Sequence, residues 1–130
     1  MQGNLKIHHV GIKVKDLDKS MAIYERLGYR AVSDKITDTI QCNRIVFMES
    51  GDESQVLELI EPVGKDSSIY GFPDGYHHIC FEADDPDFAE RFRELKIGRI
   101  FTKPVIVPAI GNRKALFGCL NNGTFAEFLL

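Results

Sequence analysis

The stretch Ile7–Val14, IHHVGIKV, returns in altered form as Tyr76–Ala83, YHHICFEA, and all four histidines of the chain lie in these two copies. Two histidines before an apolar run are too short a match to mean much alone. What decides the reading is whether other features recur at the same distance. His9 and His78 are 69 residues apart, Asn43-Arg44 and Asn112-Arg113 are 69 apart, and Glu58 of VLELI and Glu127 of FAEFL are again 69 apart. A constant offset marks a duplicated unit, each copy completing a face that it cannot bury alone.

Between these landmarks the two copies share a pattern. VKDLDKSMAIYERLGY places Leu17, Met21, Tyr24 and Leu27 at helical spacing, with Asp16 as N-cap and Gly28 where a left-handed C-cap falls. DDPDFAERFRELKIG repeats the arrangement with Asp85 as cap, Pro86 at the first helical position, Phe88, Phe92 and Leu95 on one side, and Gly98 beyond. After the helices come the β-like runs NRIVFME and QVLELIEP, then RKALFGCL and TFAEFLL, the last two joined by the hairpin signal Asn-Asn-Gly. Each copy therefore reads βαβββ. The expected architecture is one α+β domain over 1–130, built of module 5–62 and module 75–130, with no linker beyond GKDSSIYGFPDG.

Strand alternation then sorts the polar residues by face. His8 joins Val10, Ile12 and Val14, and His77 joins Ile79, Phe81 and Ala83, so these two read as packing histidines under the helices. His9 and His78 take the opposite faces. Glu58 stands opposite Leu57 and Leu59, and Glu127 opposite Ala126 and Phe128, again on the less apolar side. A pseudo-twofold relating the copies brings His9, Glu58, His78 and Glu127 together. Two imidazoles and two carboxylates suit a first-row divalent ion, whose charge the two glutamates cancel. Without such an ion, two carboxylates facing each other in a partly dry cleft cost several kcal/mol each or take up protons. Either histidine alone is more simply a packing residue, and either glutamate a solvated one; the shared register of both pairs is what argues for ligands. Arg44 and Arg113, the latter with Asn112, are candidate anion binders or else structural ion pairs, and Lys13 is a candidate pocket cation or a rim residue.

Composition narrows the partners. Sixteen basic and nineteen acidic residues give a formal charge of −3 with no basic run, which sets nucleic acid aside. Cys42, Cys80 and Cys119 are an odd set without CxxC spacing, which points to a reducing compartment, the cytoplasm. No stretch has the roughly 20 apolar residues of a membrane helix.

HHVGIKVKDLDKSMAIYERLG, VLELIEP, YHHICFEADD and GNRKALFGCLNNGTFAEFLL together resemble the vicinal-oxygen-chelate superfamily, which includes glyoxalase I, methylmalonyl-CoA epimerase, extradiol dioxygenases and bleomycin or fosfomycin resistance proteins. The resemblance implies paired βαβββ modules forming a curved mixed sheet around a metal cleft. It implies His9, Glu58, His78 and Glu127 as ligands of one nickel, cobalt or zinc ion, a small-molecule substrate that is a thiol or CoA adduct, and a homodimer. The activity it implies first is a glyoxalase-I-like lyase of the lactoylglutathione lyase type. There Glu127 or Glu58 takes the C1 proton of a 2-oxoaldehyde–thiol hemithioacetal and the metal holds the enediolate. The alternative is a methylmalonyl-CoA-epimerase-like enzyme. Such epimerases usually carry glutamine at the position of Glu58 and an acid on the strand that reads NRIVFM here. Glyoxalases often have an arginine where this chain has Lys13, and an asparagine where it has Pro62. A metal-free binding or resistance protein is the reading from another class.

Overall fold

The structure, a computed structural model, describes residues 3–130. Its elements run β1 (Lys6–Lys13), α1 (Leu17–Arg26), β2 (Tyr29–Ala31), β3 (Ile36–Asp38), β4 (Asn43–Ser50) and β5 (Val56–Pro62). Then come β6 (Gly75–Glu82), α2 (Phe88–Leu95), β7 (Gly98–Ile100), β8 (Val105–Val107), a 3-10 turn at Pro108–Ile110, β9 (Arg113–Leu120) and β10 (Phe125–Leu129). The class is α+β. Contacts divide the chain into two compact units, His9–His77 and the stretch ending at His8 taken with His78–Leu130.

In the first unit β5 lies between parallel β1 and antiparallel β4, and β2 and β3 both pair with the outer edge of β4. β2 and β3 are two pieces of one edge strand. Where it breaks, the Val32 amide donates to the Phe47 carbonyl (2.9 Å) and the Phe47 amide donates to the Ser33 hydroxyl (3.0 Å), so the ladder is continued by a side chain. The second unit repeats this: β10 lies between parallel β6 and antiparallel β9, and β7 and β8 share the outer edge of β9. There the Phe101 amide donates to the Phe117 carbonyl (2.7 Å) and the Phe117 amide to the Thr102 hydroxyl (3.1 Å). The βαβββ reading holds, with the second strand of each copy in two pieces.

These paired breaks expose a register difference. Val32 and Phe101, like Ser33 and Thr102, are 69 apart, but their partners Phe47 and Phe117 are 70 apart. One extra residue enters in the turn before β9 and one is missing from the hairpin after it, so β5 and β10 return to an offset of 69. A one-residue slip turns every side chain to the other face. Asn43-Arg44 and Asn112-Arg113 are thus not structural equivalents: Asn43 begins β4, whereas Asn112 sits in the turn with φ 59°.

α1 covers one face of the first sheet. Asp16 caps it by accepting from the Lys19 amide (3.0 Å), and Leu17, Val14, Val46, Met48 and Leu59 form the core with Met21 and Tyr24 against them. Each such aliphatic side chain contributes about 1.5–3 kcal/mol by leaving water. Leu27, expected on the buried side, falls at the C-cap and is 67% exposed. α2 begins two residues later than its sequence suggests, with Asp87 as N-cap, while Asp85 accepts from the Asp87 amide (2.9 Å). It ends at Lys96 in the left-handed region (φ 56°) rather than at Gly98. Gly98 serves a different purpose, since a Cβ there would stand 2.2 Å from the Cys119 carbonyl oxygen. Phe88 and Phe92 meet Leu116, Ala126 and Phe128 in the second core.

The stretch GKDSSIYGFPDG, the expected connection, packs on the first unit. Ser67 donates to the Asn43 side-chain oxygen (2.5 Å), Ile69 is buried, and the Lys13 ammonium donates to the carbonyls of Tyr70 (3.2 Å) and Phe72.

Candidate metal centre

In the first unit β1 and β5 pair in a register that sets Gly11 beside Glu58. His9, two residues before Gly11, shares that face, and its Nε2 lies 3.3 Å from Glu58 Oε1. Phe47 is the direct cross-strand neighbour of Glu58, and its ring meets His9 edge-on at 5.3 Å. In the second unit Glu127 pairs with Cys80 on one side and Phe117 on the other. His78, two residues before Cys80, brings Nε2 to 3.1 Å from Glu127 Oε1. Each unit thus buries one imidazole–carboxylate pair against a phenylalanine. His9, Glu58, His78 and Glu127 are all under 5% exposed.

The alternation that selects these residues is imposed by burial. Leu57, Leu59, Ala126 and Phe128 must face the helices, and this drives Glu58 and Glu127 to the other side. Two pairs of nitrogen and oxygen donors, without thiolate, match the preferences of a first-row divalent ion. The donor set fits such an ion, and burying carboxylates is otherwise costly.

His77 is buried and meets Phe72 edge-on at 4.7 Å, and His8 is half-buried with a ring nitrogen within 4.8 Å of Cys80 Sγ. Arg44 is a structural ion pair. It lies on the α1 side of β4 and reaches Glu61 Oε1 at 3.0 Å, while Glu61 Oε2 accepts from the Leu17 amide at 2.8 Å. Arg113 shares the Glu127 face but is held by Asp84 (2.9 Å) and Glu82 (3.7 Å). Asn112 is an exposed turn residue. Lys13 is 8% exposed, held by loop carbonyls and 3.9 Å from Asp74. None of these four stands as an open cation or donor beside a glutamate. Sequence reasoning missed Phe47 and Phe117, the neighbours of both glutamates. Their signal was an offset of 70, hidden by looking for 69 alone.

A family model described as Glyoxalase/Bleomycin resistance protein/Dioxygenase superfamily matches residues 8–117. The mitochondrial methylmalonyl-CoA epimerase of Homo sapiens is 32% identical over 111 residues, covering 82% of this chain and 62% of that protein. The chain thus spans less than two thirds of that relative's length. Among solved structures, a methylmalonyl-CoA epimerase variant of Streptomyces coelicolor in complex with 2-nitronate-propionyl-CoA superposes with TM-score 0.79 at 24% identity, covering 97% of this chain and 94% of that one. The methylmalonyl-CoA epimerase of Mycobacterium tuberculosis gives TM-score 0.79 at 22% identity, covering 95% and 85%. At such identities the structural likeness bears on the fold. Among the described residues no helix is long and apolar enough to cross a membrane.

Proposed function

Because this chain belongs to the Glyoxalase/Bleomycin resistance protein/Dioxygenase superfamily, we propose that it is a divalent-metal-dependent enzyme that moves a proton at the carbon beside a thioester carbonyl, as a methylmalonyl-CoA epimerase does. The observation that carries this reading is the pair of buried imidazole–carboxylate contacts, His9 with Glu58 and His78 with Glu127, in a chain whose relatives are named as epimerases. These relatives reverse the order in which the sequence ranked the two chemistries, since the epimerase stood second.

His9, Glu58, His78 and Glu127 are the residues that would hold the ion. Bound there, it supplies Lewis-acid stabilisation of the oxyanion that develops when the neighbouring carbon loses its proton. The rest is the work of this chain. A C–H beside a thioester is too weak an acid for a free carboxylate to deprotonate at a useful rate, and it becomes reachable when the base is held beside the carbon and the developing oxyanion is stabilised. Glu127 and Glu58 are the candidate bases, one in each unit, and return of the proton from the other side of the carbon inverts it. Phe47 and Phe117, directly across from the glutamates, exclude water from them.

One observation favours the glyoxalase-like reading as second. On the face of β4 that carries Phe47, the run NRIVFM offers Asn43 and Ile45 and no acid where the resemblance leads an epimerase to carry its second base, and Glu49, the next residue of that face, lies 3.8 Å from the Arg30 guanidinium. The two readings separate on substrate. Metal content is measured on the purified protein, which is then assayed, stripped and restored, with methylmalonyl-CoA and with methylglyoxal plus glutathione. Metal-dependent epimerisation supports the proposal, and turnover of the hemithioacetal alone replaces it with the second reading. Ligand binding that is indifferent to metal and to His9→Ala makes this a binding protein instead. The expected homodimer is read by sedimentation.

A further inference from the structure

The duplication supplies an internal control for the faces around each glutamate. In the first unit Arg30, Glu49 and Val56 lie in one cross-strand row, and the Arg30 guanidinium is answered by Glu49 (3.8 Å) and Glu53 (3.1 Å). The equivalent row of the second unit is Arg99, Cys119 and Phe125. The carboxylate has become a cysteine, and among the described residues no acid pairs with Arg99. The valine has become a phenylalanine. Val32, at the strand break, likewise has Phe101 as its counterpart, each donating its amide to the phenylalanine across from the glutamate. The same frame is thus built with valine in one copy, so the fold itself does not demand the aromatic rings of the other.

Those rings form a continuous surface. Phe125 stacks on Phe117 (centroids 6.4 Å apart, planes at 29°) and on Phe101 (6.2 Å, 29°), and the Arg99 guanidinium lies 5.7 Å from the centre of the Phe101 ring. Phe117 is the cross-strand neighbour of Glu127, Phe117 and Phe125 are half-buried, and Phe101 is 51% exposed. From the candidate base the wall runs outward across two strand spacings, about 10 Å, to a cation with no acidic partner among the described residues. A ligand that uses it is flat or branched and apolar beside the reacting carbon, and anionic at its far end.

We propose that Phe117, Phe125 and Phe101, with Arg99 at the rim, form the acyl subsite of the second unit, selecting a thioester whose acyl arm is aryl-sized and ends in an anionic group. This rests on the reading of the Glu127 face as the side where the substrate reacts. It makes methylmalonyl-CoA a smaller relative of the preferred substrate.

The test uses the metal-loaded full chain and calorimetric binding of acetyl-CoA, phenylacetyl-CoA and 4-carboxyphenylacetyl-CoA, with deuterium uptake at C2 of methylmalonyl-CoA measured separately. Phenylacetyl-CoA is expected to bind at least about tenfold more tightly than acetyl-CoA, the range that a filled apolar pocket gives, and the added carboxylate to tighten it further. Phe101→Val with Phe125→Val installs the side chains that the first unit already accommodates, and should erase the aryl gain while leaving acetyl-CoA affinity unchanged. Arg99→Gln should erase only the carboxylate gain. Equal affinities for the three thioesters, or an aryl preference that survives the double variant, overturn the proposal even where methylmalonyl-CoA exchanges normally. Aryl selectivity that the variants remove, in a protein that exchanges no C2 proton, sustains the subsite and refutes the epimerase reading. A dimer that the double variant dissociates, with aryl preference intact, assigns the wall to a second copy of the chain and also overturns it.

Discussion

Glu127 is 2% exposed and its Oε1 lies 3.1 Å from His78 Nε2, so its carboxylate has exchanged water for partners that a metal ion would complete. Glu127→Gln keeps the shape and removes the negative charge, and turnover is expected to fall about 10²- to 10⁴-fold, the contribution of a positioned acid–base group. His9→Ala should abolish stoichiometric metal by elemental analysis while circular dichroism keeps the native spectrum; full metal loading of that variant would remove His9 from the ligand set. Lys13 makes the opposite prediction. Its ammonium is spent on the Tyr70 and Phe72 carbonyls, and Asp74 at 3.9 Å is 43% exposed and adds little. Lys13→Met should therefore cost about 1–3 kcal/mol of stability from the carbonyls it orphans, read from the urea midpoint, with the affinity for substrate unchanged.

At the scale of elements, the helices and the final hairpin were legible in the sequence because local chemistry specifies them. Asp16 at a cap, apolar residues three and four apart, and Asn-Asn-Gly between strands need no tertiary partner to be recognised. The split edge strands were not legible, because β2, β3, β7 and β8 have three residues each and exist only by pairing with β4 or β9. Gly98 was read as a helix terminator and is instead the point where β7 approaches β9. Gly98→Ala forces a Cβ onto the Cys119 carbonyl and is expected to cost about 1–3 kcal/mol, measured as a loss of urea midpoint; an unchanged midpoint would contradict that close approach. The β4–β5 hairpin is tied by Asp52, whose carboxyl the Ser54 and Ser50 hydroxyls hold down at about 2, against an ordinary value of 3.8. A depressed acid stabilises the folded form above its unfolded value and loses that contribution as pH falls through the folded one. Amide exchange at Gln55, which donates to the Ser50 hydroxyl, should accordingly stay slow at pH 4 and quicken as pH approaches 2.

For the whole molecule, the proposed function carries a stability prediction, because an ion bound by His9, Glu58, His78 and Glu127 would stabilise the folded chain that binds it. At a free concentration near a hundred times its dissociation constant, an ion adds about 2.7 kcal/mol. Chelation should lower the calorimetric melting temperature by several degrees, restoration should recover it, and the His9→Ala protein should respond to neither. The sequence by itself determined the duplication, the α+β class and the faces of His9, Glu58, His78 and Glu127. Periodicity of two along a strand, and a repeated offset of 69, are local properties of the chain. Tertiary structure alone decided which phenylalanines stand beside the glutamates, that Arg99 has no acidic partner among the described residues where Arg30 has two, and that Asn43-Arg44 and Asn112-Arg113 are unrelated positions. Each depends on the register between strands distant in the chain, where one residue inserted in a turn and one removed from a hairpin leave the offset at the ends intact while reversing every face between them.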